Sequence, residues 1–146
     1  MIDTNHTHTA ALFTEIILET FKFNGRLITA GDALTKPFGL TSALWQIMGA
    51  IKEAPIPMAQ IARNMGLSRQ GVRRSTHVLI DKGLVRFEEN PDHKRAKRVA
   101  LTDKGRDAFR QLEKTQITWS NAVAKGFSGE ELKTALRVIR ALGEKL

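Results

Sequence analysis

The sequence contains no cysteine, and this absence rules out several kinds of site at once. Without thiols the chain has no disulfide framework, no cysteine-ligated zinc site and no thiol-based redox sensor. It also has no apolar run that approaches the ~18 residues needed to cross a bilayer. The N-terminal residues lack the charged start and apolar stretch of a secretory signal, so we expect a cytoplasmic protein without a membrane partner.

Motifs typical of catalysis and metal binding are missing as well. There is no G-x-S-x-G, no Walker loop and no G-x-G-x-x-G. The four histidines are His6, His8, His77 and His93. No two of them are spaced i, i+4 on a predicted helix, which a helical zinc pair requires. Glu15, Glu19 and Asp32 are better explained as solvated or ion-paired carboxylates than as acid–base catalysts. We therefore predict no enzymatic activity, no metal and no cofactor.

Charge is the most informative part of the composition. The net charge is +8, and residues 68–98 hold nine Lys and Arg against four Asp and Glu, a net charge of +5. More than half of the excess charge thus lies in about a fifth of the chain. Such clustering favours a polyanionic partner, because each phosphate that a cation neutralises releases counterions. The alternative is a basic, solvated surface.

The 146 residues, 42% of them apolar, fit a single globular domain that is mostly helical. Apolar residues recur at helical spacing over 8–34, with Gly25 as a position where the helix can bend, and over 41–53 behind Thr41 as N-cap. Residues 103–125 and a final helix complete the pattern. Thr102 is the predicted cap of the first of these, and Ser128 with Glu131 has the spacing of a capping box.

The middle of the chain has the pattern of a helix-turn-helix. Predicted helices at 58–65 and 69–82 are separated by Gly66, Leu67 and Ser68. A close crossing of two helices needs small residues and a sharp turn, and Gly66 adopts left-handed geometry at low energy. Ser68 is the predicted N-cap of the second helix, which places its N-terminal half where this motif enters a major groove.

The polar face of that second helix predicts contact with DNA. Arg pairs with guanine and Gln with adenine at base edges, and both also bind phosphates. Residues 85–87 and 99–101 alternate as a half-buried hairpin, the wing, whose loop spans 90–96. Arg95 is the predicted insertion into a minor groove. The predicted DNA-binding residues are Ser68, Arg69, Gln70, Arg73, Arg74, His77, Lys94, Arg95 and Arg98.

The ordered set of these motifs resembles the MarR family of bacterial transcriptional regulators. The segments that carry the resemblance are Leu40-Thr41…Trp45-Gln46, Ile61-Ala62…Leu67-Ser68, Gly83-Leu84-Val85, Asn90-Pro91…Arg95-Ala96 and Leu101-Thr102…Gly105. The resemblance implies an α+β winged helix-turn-helix over 40–102, flanked by dimerisation helices at 8–34 and 103–146. It further implies a homodimeric repressor on a pseudo-palindromic operator, relieved in many members by a small-molecule ligand.

Two positions depart from the family pattern. Phe87 stands where an Arg is common, and His93 stands where the wing usually has Asp. Our hypothesis is that an aromatic–imidazole contact between them replaces an Arg–carboxylate brace and makes the wing pH-sensitive. The alternative is a solvent-facing His93 without a regulatory role.

Three further questions stay open at the level of sequence. Wide apolar faces on the terminal helices favour an interleaved dimer, although a single all-helical core is the alternative. Trp45 and Met48 fit either an effector pocket or, by preference, ordinary core. A protein-interaction module that has lost DNA specificity and a non-specific architectural DNA binder are the alternative functions.

Overall fold

The computed structural model describes residues 4–146. The first three residues, part of the stretch examined for a secretory signal, lie outside the described residues. Residues 4–146 form six α-helices, one short 3-10 helix and three short strands. In chain order these are α1 (His8–Thr35), the 3-10 helix (Lys36–Phe38), α2 (Ser42–Ala50), β1 (Ile56–Pro57), α3 (Met58–Met65), α4 (Arg69–Asp81), β2 (Val85–Glu88), β3 (Arg98–Leu101), α5 (Asp103–Ala124) and α6 (Gly129–Gly143).

The long first helix runs without interruption through Gly25, so the expected bend site does not break it. Lys36 keeps helical geometry, with φ −52° and ψ −43°, although it precedes Pro37, and the chain tightens there into the 3-10 helix. The left-handed Gly39, at φ 69°, ends that helix. The Asp32 carboxylate then accepts the Ser42 backbone N–H at 2.8 Å, which ties the end of α1 to the start of α2. Asp32 thus has a structural role, and Glu19 forms an exposed ion pair with Lys22.

Helix α2 begins where predicted and ends earlier. The Thr41 hydroxyl accepts the Leu44 N–H at 3.3 Å, which confirms the predicted N-cap. The helix ends at Ala50 rather than at 53, because Ile51 has left helical geometry with φ −112° and ψ 5°. The boundary is therefore set before Pro55 is reached.

The wing belongs to a three-stranded antiparallel sheet in the order β1-β3-β2. Val85 pairs with Leu101 and Phe87 with Val99, so the predicted hairpin and its inward face are confirmed. The third strand was not predicted, because two residues that include Pro57 give no strand pattern. Proline is tolerated there because β1 lies at the sheet edge, where a missing N–H removes no ladder bond on the free side.

The hydrophobic core is built from α2, α3, α4, the sheet and the first turns of α5. Its fully buried large side chains include Ile47, Met48, Ile61, Leu79 and Leu112. Met48 is therefore a core residue, as preferred from its spacing, and Trp45 packs against this core while partly buried. Within the described part of the chain, no side chain of α1 belongs to this core cluster.

The chain divides into two compact units, one that ends at Leu112 and one that comprises Glu113–Leu146. In the second unit, Ser128 and Glu131 form the predicted capping box, with hydrogen bonds of 3.0 Å and 3.1 Å that satisfy both backbone N–H groups. Along α6, Leu132, Leu136 and Ile139 are exposed. Between residues 4 and 146, no helix has both the length and the apolarity that a membrane crossing requires.

Candidate nucleic-acid interface

The turn between α3 and α4 has the geometry that its sequence predicted. Gly66 is left-handed at φ +64° and ψ 35°, a region that glycine enters without a Cβ clash. The Leu67 N–H then donates to the Ala62 carbonyl at 2.9 Å, which closes the end of α3. The Ser68 hydroxyl accepts the Gly71 N–H at 3.0 Å and starts α4. The helix-turn-helix is thus confirmed.

Helix α4 presents a polar face to solvent because its other face is anchored in the core. Val72, Thr76 and Leu79 are buried. On the opposite side every predicted contact residue is exposed: Ser68, Arg69, Gln70, Arg73, Arg74 and His77. Val78 is also exposed, at 38%, and places a branched apolar side chain beside Arg74 on this face.

The arginines of α4 are available for an external partner. Among residues 4–146, none of Arg69, Arg73 or Arg74 forms an ion pair or a side-chain hydrogen bond. This differs from α5, where Arg106 and Arg110 pair with Asp103 and Asp107 three residues earlier. Because guanidinium groups bind carboxylates and phosphates in the same bidentate way, three unpaired ones on one helix favour a phosphate-bearing ligand.

The aromatic contact predicted for Phe87 exists with a different histidine. The Phe87 ring packs edge-to-face against His77 of α4, with centroids 6.1 Å apart and planes at 71°. The hypothesis of a Phe87–His93 contact is therefore wrong, because His93 stands in the wing loop, where its backbone forms turn hydrogen bonds with Asn90 and Ala96. The contact instead joins α4 to β2, the first strand of the wing.

The wing loop is organised by Asn90, which is not among the predicted site residues. Its side-chain amide donates to the Ala96 carbonyl at 3.0 Å, and its side-chain oxygen accepts the Asp92 N–H at 3.0 Å. Asn90 is only 9% exposed, although it lies in a loop, where most residues are exposed to solvent. The Asn-Pro pair was a usable signal, since Asn side chains commonly close turns in this way. Lys94 and Arg95 lie exposed on the loop that Asn90 closes.

At the base of the wing, one carboxylate holds two arginines. Glu88 accepts from Arg86 at 2.9 Å through Oε2 and from Arg98 at 2.6 Å through Oε1. The hydrogen bond from Arg86 and the positive charge of Arg98 lower the pKa of the Glu88 carboxyl below its usual range. Glu88 is thus ionised at neutral pH. The wing does have an Arg–carboxylate brace, formed by residues other than those of the family pattern.

Unlike the predicted contact residues Arg69, Arg73 and Arg74 of α4, Arg98 is already paired within the protein. Its guanidinium is engaged by Glu88, and its side chain is only 32% exposed. The signal was present in the sequence as opposite charges at positions 88 and 98, which face each other directly across the β2–β3 ladder. The pairing of Glu88 with Arg98 follows from these charges only once the register of β2 and β3 is known.

The lobe is joined to α5 through Thr102. Its hydroxyl donates to the Gly83 carbonyl at 2.6 Å and accepts the Gly105 N–H at 3.0 Å, so the predicted N-cap is confirmed and also holds the turn after α4. Lys104 donates to the Lys82 carbonyl at 2.8 Å from the same turn of helix. In the described residues, no group of three or more His, Cys, Asp or Glu is placed to hold a metal ion.

Comparison with known proteins identifies the winged helix-turn-helix lobe, residues 40–102. Residues 38–96 match the model of the MarR family. The chain carries a MarR-family winged helix-turn-helix. It is similar to Rv2011c of Mycobacterium tuberculosis, with 27% identity over 127 residues that cover 87% of this chain and 89% of that protein.

Solved structures of MarR regulators share the fold. A MarR/EmrR family transcriptional regulator from Acinetobacter aligns with a TM-score of 0.83 at 18% identity, covering 92% of this chain and 96% of that one. CouR from Rhodococcus jostii, bound to p-coumaroyl-CoA, aligns with a TM-score of 0.79 at 18% identity, covering 87% and 90%. AbsC of Streptomyces coelicolor, a MarR family transcriptional regulator, aligns with a TM-score of 0.77 at 20% identity, covering 95% of both chains.

Proposed function

We propose that this chain is a sequence-specific DNA-binding transcriptional regulator, with α4 as the helix that enters the major groove. The observation that carries the proposal is the unpaired, exposed row of Arg and Gln on a helix whose opposite face is fixed in the core. A rigid helix presents its side chains with little loss of conformational entropy on binding. Gln70, Arg73, Arg74 and His77 lie toward base edges in this proposal, and Ser68 and Arg69 toward phosphates.

The wing is the second part of the proposed interface. Arg95 inserts into the minor groove beside the α4 site, and Lys94 binds the adjacent phosphates. Both side chains are exposed on a loop that Asn90 holds in a defined shape. We leave Arg98 out of these contacts because its guanidinium is paired with Glu88.

We further propose that two copies of the chain form the regulator. Helix α1 exposes two apolar stripes: Leu12, Ile16, Phe23 and Leu27 form one, and Ile17, Phe21 and Ile28 form the other. Contiguous apolar surface of this extent on a helix marks an interaction site, because water disfavours it. A two-fold dimer presents two α4 helices, which suits a pseudo-palindromic operator. Residues 8–34 and 103–146 are the proposed dimerisation region.

The same proposal makes the regulator a repressor in the bacterial cytoplasm. A dimer that spans a promoter blocks access of other proteins to the same duplex. Relief by a small organic ligand is part of the proposal, and it draws on the fold shared with CouR, which was solved with p-coumaroyl-CoA bound. Transcription from a template with the bound site inside its promoter tests the repressor role, with an increase in transcript as the contrary result.

Substitution of Arg74 and of Lys94 separates base reading from phosphate binding. We expect Arg74→Ala to weaken binding to a duplex selected by the parent protein by roughly 10- to 100-fold, because one bidentate base contact contributes about 1–3 kcal/mol of discrimination. Lys94→Ala should weaken selected and random duplexes by the same factor, since a phosphate contact is independent of sequence. Fluorescence anisotropy titrations with both duplexes at one salt concentration measure these losses.

The parent protein should prefer the selected duplex over random duplex by ~10³-fold or more. Binding to both with equal affinity would point to an architectural DNA binder instead. No binding to either would leave the protein-interaction module as the better description. If Arg74→Ala and Lys94→Ala each weakened both duplexes equally, base reading by Arg74 would be wrong.

A further inference from the structure

Arg86, Glu88 and Arg98 form a cluster of charged side chains at the base of the wing. Arg86 and Glu88 lie two residues apart on β2 and therefore share a face of the sheet, and Arg98 is the direct cross-strand partner of Glu88 on β3. One carboxylate oxygen takes each arginine, at 2.9 Å and 2.6 Å. The cluster holds two cationic groups around one carboxylate, which is only 23% exposed.

The cluster lies next to the wing residues that are proposed to contact DNA. It lies at the base of the loop that carries Lys94 and Arg95, with Glu88 two residues before Asn90 and Arg98 three residues after Arg95. An arginine there would bind the phosphates next to those contacted by the loop. Arg98 is withheld more completely than Arg86, because its Nε is buried and its side chain is 32% exposed against 53% for Arg86.

Folding stability does not account for the cluster well. Partly exposed ion pairs contribute little to stability because water screens them and ordering long side chains opposes them. The sheet register is already fixed by the buried pair Val85–Leu101 and by the pair of the partly buried Phe87 with the buried Val99. What the carboxylate does change is the number of cations that the wing offers to a polyanion.

We propose that Glu88 withholds Arg86 and Arg98 from the phosphate backbone and thereby lowers the affinity for DNA of any sequence. The inference rests on the proposed DNA-binding function. Phosphate contacts are independent of sequence, so each withheld arginine lowers the affinity for operator and for random DNA by the same factor. The contacts of α4 and Arg95 then decide where the protein binds.

The test measures how affinity depends on salt, which counts phosphate contacts directly. We expect Glu88→Gln to bind random duplex more tightly than the parent, with a steeper slope of log K against log salt by about 0.9 for each arginine released onto a phosphate. The affinity for the selected duplex should rise by the same factor, so the ratio of the two affinities should stay unchanged. Glu89→Gln is the matched control, because Glu89 carries the same charge one residue away, is 79% exposed and pairs only with Lys97 at 3.9 Å.

Arg98→Ala, made in the parent and in the Glu88→Gln variant, completes a double-mutant cycle. In the parent background, Arg98→Ala should leave the slope unchanged, whereas in the Glu88→Gln background it should reduce the slope by about 0.9 per subunit. A loss of slope in the parent equal to that of Lys94→Ala would show that Arg98 already contacts phosphate, and would overturn the proposal. Equal slopes for Glu88→Gln and Glu89→Gln would also overturn it.

These outcomes are separate from the fate of the proposed function. Preference of the parent for selected over random duplex decides sequence-specific binding, while the slopes on random duplex decide the role of Glu88. The salt needed to elute each variant from heparin gives a reading that needs no DNA at all. Glu88→Gln should elute at higher salt than Glu89→Gln, and co-elution would count against the withheld arginines. Far-ultraviolet circular dichroism verifies that both variants are folded.

Discussion

Replacing Gly105 by alanine is expected to destabilise the protein by about 3 kcal/mol or more, at the upper end of overpacking effects. A Cβ at this position would overlap the Leu84 carbonyl oxygen and lie 3.0 Å from its carbon and 3.2 Å from the Leu101 side chain. The obstacle is backbone, so no rotamer change relieves it. Urea unfolding of parent and variant at one protein concentration measures the difference in free energy.

The surrounding hydrogen bonds show why the backbone does not yield easily. Leu84 O accepts the Thr102 N–H at 3.0 Å, and the Thr102 hydroxyl accepts the Gly105 N–H at 3.0 Å. A shift of Gly105 away from Leu84 would break the cap of α5 and the junction with β2 together. Gly49→Ala is the control, because it lies inside α2 and its Cβ would meet nothing closer than 4.0 Å. Its stability should change by less than ~1 kcal/mol, and a Gly105→Ala variant as stable as this control would contradict the predicted overlap.

Replacing Phe21 by glutamate is expected to dissociate the proposed dimer. Phe21 is 70% exposed and lies in the centre of one apolar stripe of α1. A carboxylate buried there without a partner loses its hydration, so we expect the dissociation constant to rise by ~100-fold or more, about 2.7 kcal/mol. Sedimentation velocity over a concentration series measures the mass, and operator affinity should fall with it because two half-sites are no longer joined.

Thr29→Glu is the matched control for the dimer. It makes the same change of charge on the same helix, on the polar face that carries Glu15, Lys22 and Arg26, and the Thr29 hydroxyl bonds only the Gly25 carbonyl of its own helix. This variant should sediment as the parent does. A monomeric parent, or a dimeric Phe21→Glu variant, would contradict the assignment of the α1 stripes to a second copy.

Local sequence rules predicted the helix-turn-helix well because its signals are short-range. The Gly66 turn, the Ser68 cap and the buried face of α4 each depend on residues within a few positions of one another. The same holds for Thr41 and Thr102 as N-caps and for the box formed by Ser128 and Glu131. The DNA contacts themselves remain predictions, since the exposure of a side chain does not identify its partner.

By itself the sequence determined where the helices begin, which face of α4 is polar and that the centre of the chain is strongly basic, because helical period, capping and charge are local properties. Only the tertiary structure decided that β1 joins the sheet, that Phe87 meets His77 instead of His93, and that Arg98 is bound to Glu88. Each of these depends on strand register or on the packing of segments distant in sequence. A one-residue change in register would exchange the faces of a strand, so no local pattern could have fixed those partners.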